Sequence, residues 1–322
     1  MPAVSVVMPA FNVAPYIGEA IESVLGQTYG DLELLVVDDG STDGSDVLAD
    51  GYASRDSRVR VIRQPNGGIS TARNHALRIA TSPVIAILDS DDAWDPSYLR
   101  DQMAILDARA DVDVVTGNAW FLGGSQNGHP ARPWPDRRPA PTLADMLTDE
   151  TAVFIMSIFR RRVYETIGPF DETLRTNEDY DFWLRAACAD FVFHRNDRPL
   201  GYYRRRDNSL SADELRMLPG ILQVLRKLRP RLHNRPVELA ILEAQIVRFE
   251  TEYVAAEARG AIESGDFAAA GQHLTALHHL KGGALLRLAR FMAFWTPSLL
   301  ATAYNLRRAR LAGRRGTRQR IA

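Results

Sequence analysis

Asp89, Asp91 and Asp92 crowd into four positions directly after the apolar run Ile85-Ala86-Ile87-Leu88. Carboxylates that close repel one another, and a cation should compensate them; Mg²⁺ or Mn²⁺ suits oxygen donors of this kind. A hard divalent ion held by one or two carboxylates completes its shell with phosphate oxygens and water. A solvated loop charging the start of the next helix would account for Asp92 and Asp95, but poorly for Asp89 at the end of a buried strand. A second acidic strand end reads Val37-Asp38-Asp39-Gly40-Ser41-Thr42-Asp43-Gly44-Ser45. Its glycines permit tight turning and close approach to a ligand, and its carboxylates could accept from a ribose or a base N–H. Capping of the next helix would explain the same residues. A third acidic pair, Glu178-Asp179, precedes a helical stretch.

Such residues act only if the chain brings them together. Short apolar runs at Val4–Met8, Leu32–Val37, Val59–Ile62, Val84–Leu88 and Asp113–Thr116 alternate with amphipathic segments at Tyr16–Gln27, Ser45–Ser54, Ser70–Ala80 and Pro96–Ala110. This alternation predicts an α/β fold with a mostly parallel sheet flanked by helices. Ligands bind such sheets beyond the carboxyl ends of the strands, which singles out Pro9–Asn12, Asp38–Ser45, Pro65–Gly68 and Asp89–Asp92. Gly123–Pro141 reads as a loop, placed to cover the site. Phe154–Phe159 and Leu200–Arg205 read as further strands, Tyr180–Ala189 as a helix, and the chain after about Ala212 as helical to its end.

Across 322 residues the net charge is −1, but it is unevenly placed. After Asp266 there are ten basic residues, Lys281 and nine arginines, and no acid, so this end carries +10 and the rest −11. One cysteine, Cys188, excludes an intramolecular disulfide and fits a reducing compartment. The opening residues lack the features of a signal peptide, so a cytoplasmic location is expected. His129, His194, His233, His273, His278 and His279 show no ligand spacing with acids or thiols.

Six motifs occur in order: Val4-Ser5-Val6-Val7-Met8-Pro9-Ala10-Phe11-Asn12; Val36-Val37-Asp38-Asp39-Gly40-Ser41-Thr42-Asp43; Asn66-Gly67-Gly68-Ile69-Ser70-Thr71-Ala72-Arg73-Asn74; Leu88-Asp89-Ser90-Asp91-Asp92; Asn177-Glu178-Asp179-Tyr180-Asp181; and Tyr203-Arg204 through Ser209-Leu210-Ser211. Together they resemble the inverting family 2 glycosyltransferases of GT-A fold, over roughly residues 3–211. The resemblance implies a Rossmann-like catalytic domain over 1–211 and a C-terminal helical extension over 212–322. It implies that Pro9, Ala10 and Phe11 wall a nucleotide base, that Asp39 reads the base edge with Asp38 nearby, and that Arg73 approaches the nucleotide or diphosphate. It makes Asp89-Ser90-Asp91 the DxD element, with Asp89 toward ribose and Asp91 toward Mg²⁺ or Mn²⁺, and Asp179 of the Glu178-Asp179 pair the catalytic base. Relatives often carry a histidine where Arg206 stands. Protonated arginine does not ligate a metal, so Arg204 or Arg206 is expected on the diphosphate. The implied partners are a nucleotide-sugar donor, with uridine favoured, and a glycan or lipid-linked acceptor, as in cell-surface polysaccharide or glycolipid synthesis.

Two other readings compete. A sugar-phosphate nucleotidylyltransferase calls for a glycine-rich, lysine-bearing loop after the first strand, and Pro9–Asn12 has neither residue. A non-catalytic nucleotide-binding module would not need Asp39, Asp89, Asp91 and Asp179 intact. Ala284–Leu306 is apolar but interrupted by Arg287, Arg290 and Pro297, which disfavours a membrane-spanning helix. An in-plane amphipathic helix with a basic tail, drawn to anionic headgroups at the inner face of the cell membrane, is expected instead. The competing expectation is a helix packed on the catalytic domain. Nothing that would read bases accompanies the tail, so no nucleic-acid partner is expected.

Overall fold

A computed structural model describes residues 1–135, 140–205 and 214–306. Strands β1 (Val4–Ala10), β2 (Leu32–Asp38), β3 (Val59–Arg63) and β4 (Val84–Ile87) alternate with helices α1 (Ala14–Leu25), α2 (Ser45–Ala53) and α3 (Ile69–Ile79). Every residue of β1 and β4 is buried. Strands covered on both faces need continuous apolar runs, and these strands have them. The register is parallel, with Val4 opposite both Leu32 and Val84. Val6, Met8, Leu34 and Val36 meet Ile17, Ile21 and Val24 of α1 in the core.

The strand order is β3-β2-β1-β4-β7-β6-β8-β5, with β5 at Ala93–Trp94, β6 at Val114–Leu122, β7 at Ser157–Arg160 and β8 at Phe193–Arg204. Strands β7 and β5 run antiparallel to their neighbours; the other ladders are parallel. Helices α4 (Tyr98–Ala108), α5 (Leu143–Thr148), α6 (Arg161–Ile167) and α7 (Glu178–Cys188) complete this layered arrangement. The expected strand at Leu200–Arg205 begins earlier, at Phe193, because His194–Asp197 is polar and hides the strand from a hydrophobicity reading. Within Gly123–Pro141 there is a short turn at Gly124–Gln126 and a bridge from Trp120 to Pro130; residues 136–139 lie outside the described residues.

The chain forms two compact units. The first comprises Met1–Ala212 and Gln223–Leu242, so the helical region, which begins with α8 (Glu214–Leu228), contributes a segment to it. The second comprises Asp213–Leu222 and Glu243–Ala322. Its core gathers Ala258 and Ile262 of α9 (Pro236–Ser264), Ala270 and Leu274 of α10 (Phe267–Lys281), Ala293 of α11 (Ala284–Trp295), and Leu300. Asp266 caps α10 by accepting from the Ala269 amide at 3.0 Å. Among the described residues no helix is long and apolar enough to cross a membrane. The expected Ala284–Leu306 stretch is broken at Thr296. Arg307 and the six arginines after it lie outside the described residues.

Candidate active site

The order β3-β2-β1-β4 puts the first and fourth strands side by side although three helices and two strands separate them in sequence, so connections leave their carboxyl ends in opposite directions. The β1–β4 ladder ends where the Leu88 amide donates to the Val7 carbonyl at 3.1 Å. The next amide position on that edge belongs to Pro9, which has no N–H to give, so the chains part there. Phe11 follows, about half exposed, and Asn12 takes a left-handed φ of 51°. The Asp39 amide donates to the Ala10 carbonyl at 2.8 Å, keeping the ends of β1 and β2 abreast.

Both aspartates at the end of β2 are buried. Asp38 accepts from the Ser41 amide at 3.3 Å. Asp39 gathers the β3–α3 loop: its Oδ1 accepts from the Gly67 amide at 2.8 Å and Gln64 Nε2 at 2.7 Å, and its Oδ2 from the Gly68 amide at 2.8 Å. A carboxylate offers about four acceptor positions, so one remains on Oδ2. Gly40 must be glycine twice over. Its φ is +79°, and a Cβ there would sit 3.1 Å from the Asn66 amide nitrogen. Asp43 serves two helix starts, its Oδ1 accepting from the Ser45 amide of α2 at 3.0 Å, and with Ser45 it also caps α1. The Ala14 amide donates to Asp43 at 2.9 Å and the Val13 amide to the Ser45 hydroxyl at 2.9 Å.

Arg73 is the hub of the acidic half. Its side chain is 1 % exposed; Nη1 donates to Glu178 at 2.6 Å and Nη2 to Asp89 at 2.7 Å. The guanidinium lies 5.4 Å from the Phe170 ring centroid. Two carboxylates hold its charge firmly and raise its pKa despite burial. The next residue, Asn74, accepts from the Phe170 amide and donates to the Phe170 carbonyl, each at 2.9 Å. One turn of α3 thereby sets the chain that enters α7. That entry is bent, since Asn177 takes φ 61° just before Glu178. Such backbone strain clusters at functional sites. Glu178, Asp179 and Asp181 fill the first turn of α7, where the helix dipole favours negative charge.

Asp179 follows Glu178 directly and accepts from the Tyr180 amide at 2.8 Å. Burial, then the Glu178 charge, pushes its pKa up to about 7, against the opposing pull of Arg73 and the Tyr180 amide. A carboxyl poised near neutrality suits a general base.

Asp92 corrects the expectation of a solvated helix-start charge. It is buried; its Oδ1 accepts from the Arg204 amide at 2.7 Å, while its Oδ2 has no hydrogen-bond partner. Burial, then Asp91 and Asp89, raises its pKa well above the carboxylate range. Asp95 behaves as expected, its Oδ1 accepting from Ser97. Arg204 clips the β4 loop to the sheet edge: Nε donates to the Asp91 carbonyl at 2.8 Å, Nη2 reaches Glu19 at 2.5 Å, and the guanidinium sits 4.9 Å from the Tyr16 ring centroid. Arg206 lies outside the described residues. Among the described residues no three His, Cys, Asp or Glu side chains form a protein-only metal cage. The donors are carboxylate oxygens, and Asp92 Oδ2 is a buried oxygen with no donor. That set fits Mg²⁺ or Mn²⁺ sharing its shell with phosphate and water better than a closed zinc-type site.

Asp89, Arg73, Glu178 and Asp179 thus meet, as do Pro9, Ala10, Asp38 and Asp39, while Ser90 is buried between Asp89 and Asp91. Gln64, Phe170 and Glu19 were not anticipated as parts of the site, and Asp92, singled out with the acidic cluster, was given no role in it. Only the acidic crowding at Asp92 carried any signal, because the other three depend on contacts distant in sequence.

Residues 5–168 match the model of the family "Glycosyl transferase family 2". The chain is 33 % identical over 237 residues to the uncharacterized glycosyltransferase EpsJ of Bacillus subtilis, covering 70 % of this chain and 67 % of that one. It is 30 % identical over 234 residues to the putative teichuronic acid biosynthesis glycosyltransferase TuaG of the same organism, covering 72 % of this chain and 90 % of that one. Among solved structures it resembles S. aureus TarS 1-349 in complex with UDP-GlcNAc, with TM-score 0.63, 21 % identity, and 95 % and 91 % of the two chains covered. It also resembles the mannosyltransferase PcManGT from Pyrobaculum calidifontis in complex with GDP-Man and Mn²⁺, with TM-score 0.57, 20 % identity, and 95 % and 87 % covered. At those identities the structural likeness carries the fold alone, the GT-A arrangement.

Proposed function

The chain belongs to the family 2 glycosyltransferases, and on that footing we propose that it moves a sugar from a nucleoside diphosphate, a UDP-sugar by preference, to a hydroxyl of a glycan or lipid-linked acceptor with inversion at C1. The observation that carries this is the Arg73 bridge, which fixes strand-end Asp89 and helix-start Glu178 on one guanidinium, with Asp179 beside them pushed up to about 7. Pro9, Ala10 and Phe11 wall the base, and Asp38 and the free position on Asp39 Oδ2 accept from it. Asp89 turns toward the ribose, with Ser90 setting the spacing to Asp91. Asp91 would hold Mg²⁺ or Mn²⁺, which would supply positive charge against the diphosphate leaving group. Arg204 and Arg206 add positive potential on that side.

Asp179 takes the proton from the acceptor hydroxyl. The acceptor oxygen bonds to C1 as the bond from C1 to the phosphate oxygen breaks, and the electron pair leaves with the nucleoside diphosphate. Glu178, held by Arg73, keeps Asp179 basic enough to accept that proton near neutral pH. Support for uridine comes from the TarS complexes with UDP and UDP-GlcNAc, and for a metal from PcManGT with Mn²⁺. The name of TuaG supports a role in cell-surface polysaccharide synthesis. The basic C-terminal end supports a peripheral position at the inner, cytoplasmic face of the membrane.

Thermal melting with UDP, dTDP and GDP, each in Mn²⁺ and in EDTA, tests the donor assignment. A ligand at 100 times its dissociation constant stabilises by about 2.7 kcal/mol. UDP with Mn²⁺ is expected to raise the melting temperature most. No shift with any of the three would overturn it.

A further inference from the structure

Helix α11 has two apolar faces, and among the described residues only one is packed. Ala293 is buried, and Leu286, Ala289 and Met292 pack with it against the core of the second unit. Leu285, Leu288, Phe291 and Trp295 recur at three- and four-residue spacing on another side, and their exposures are 78, 54, 55 and 74 %. Leu299, past Pro297, is 57 % exposed, and the Phe291 and Trp295 rings stack at 6.2 Å. Contiguous apolar surface of this kind marks an interaction site.

We propose that this face of α11, with Leu285, Leu288, Phe291 and Trp295, seats in the headgroup boundary of an anionic lipid membrane. This deepens the peripheral position proposed above by assigning the surface that makes it. Helix packing and membrane contact are then not alternatives, because different faces serve each. Charge decides the occupant. Arg287 and Arg290 lie on the same helix, and seven arginines follow between positions 307 and 320 with no acid after Asp266. A second copy in a two-fold contact would bring these like charges together, whereas anionic headgroups complement them. Leucine and aromatic side chains beside arginines are the composition of helices that lie in an interface plane. Apolar insertion and a basic segment supply the two signals that stable attachment requires.

The test is co-sedimentation of the full chain with vesicles of phosphatidylcholine alone and of phosphatidylcholine with phosphatidylglycerol, at low and high salt. Wild-type protein is expected to sediment with the anionic vesicles and to be released by salt. Phe291→Glu with Trp295→Glu is expected to lower the bound-to-free ratio about tenfold or more. Leu285→Glu, at the most exposed position, is a second variant should the first melt abnormally. Wild-type protein that ignores anionic vesicles at low salt, or variants that bind as wild type does, would overturn the proposal. So would a wild-type dimer that the substitutions convert to monomer without changing vesicle binding. Melting shifts with UDP on the same samples report the donor site independently, so failure of docking and failure of the transferase assignment are distinguishable.

Discussion

Asp179 is held away from its charged form by burial and by Glu178. The proposed mechanism requires Asp179 deprotonated, so kcat/KM is expected to rise with pH and level off above about 7. Glu178→Gln removes a like charge and should move that limb to lower pH; a pH–rate profile unchanged by Glu178→Gln would detach Asp179 from its neighbour. Arg73 is the complementary case. Replacing it with Met leaves Asp89 and Glu178 facing each other without their shared cation. Breaking a buried pair this way costs about 3–5 kcal/mol. Thermal melts should show a large loss for Arg73→Met and weak rescue by Arg73→Lys, since an ammonium does not span two carboxylates as a planar fork does. Near wild-type melting of Arg73→Met would deny it the role of strut.

At the scale of elements, loops are laced crosswise. The N-cap of α1 is Val13, which has no capping side chain, and Asp43 and Ser45 from the β2–α2 loop act instead. Asp43→Ala should therefore destabilise by about 1 kcal/mol, the usual cost of a lost cap. Burial works to raise the Asp43 pKa, but hydrogen bonds from Ser45 and from the Ala14 and Ser45 amides outweigh it and hold the carboxyl below the usual range. A depressed pKa stabilises the fold above the unfolded value and is lost as pH falls through the folded one. Denaturant melts should thus show the Asp43→Ala deficit at pH 7 and its disappearance in strong acid. A deficit equal at both would assign Asp43 another role. Strands β1, β2 and β4 were legible in the sequence because strands buried on both faces are largely apolar, whereas β3, with Arg60 and Arg63 exposed, showed only as a short apolar run. The first half of β8 was hidden by polar residues, and β5, at two residues, is too short to show a period. In the site, carboxylates at strand ends were legible by position. The cross-connections that give them meaning, Asp39 to the Gly67 and Gly68 amides and Arg204 to Glu19, join segments far apart in sequence.

Over the whole molecule, chemistry and charge are separated along the chain. The residues proposed on the nucleotide side fall within the family match over 5–168, while Glu178, Asp179 and Arg204 lie beyond it; Glu178 contacts Arg73 and the Arg204 amide contacts Asp92. The acidic catalytic part carries the excess of carboxylates, and the basic end carries ten positive charges after Asp266. The proposed mechanism converges on one proton transfer to Asp179, so the decisive measurement is release of UDP from UDP-sugar donors in Mn²⁺ by wild-type and Asp179→Asn protein, with UDP affinity measured alongside. Wild-type protein is expected to turn over, and the variant to bind UDP unchanged while releasing it about 10²–10⁴-fold more slowly from the donor. Equal rates in the two proteins would remove Asp179 as the base and with it the mechanism proposed for this site.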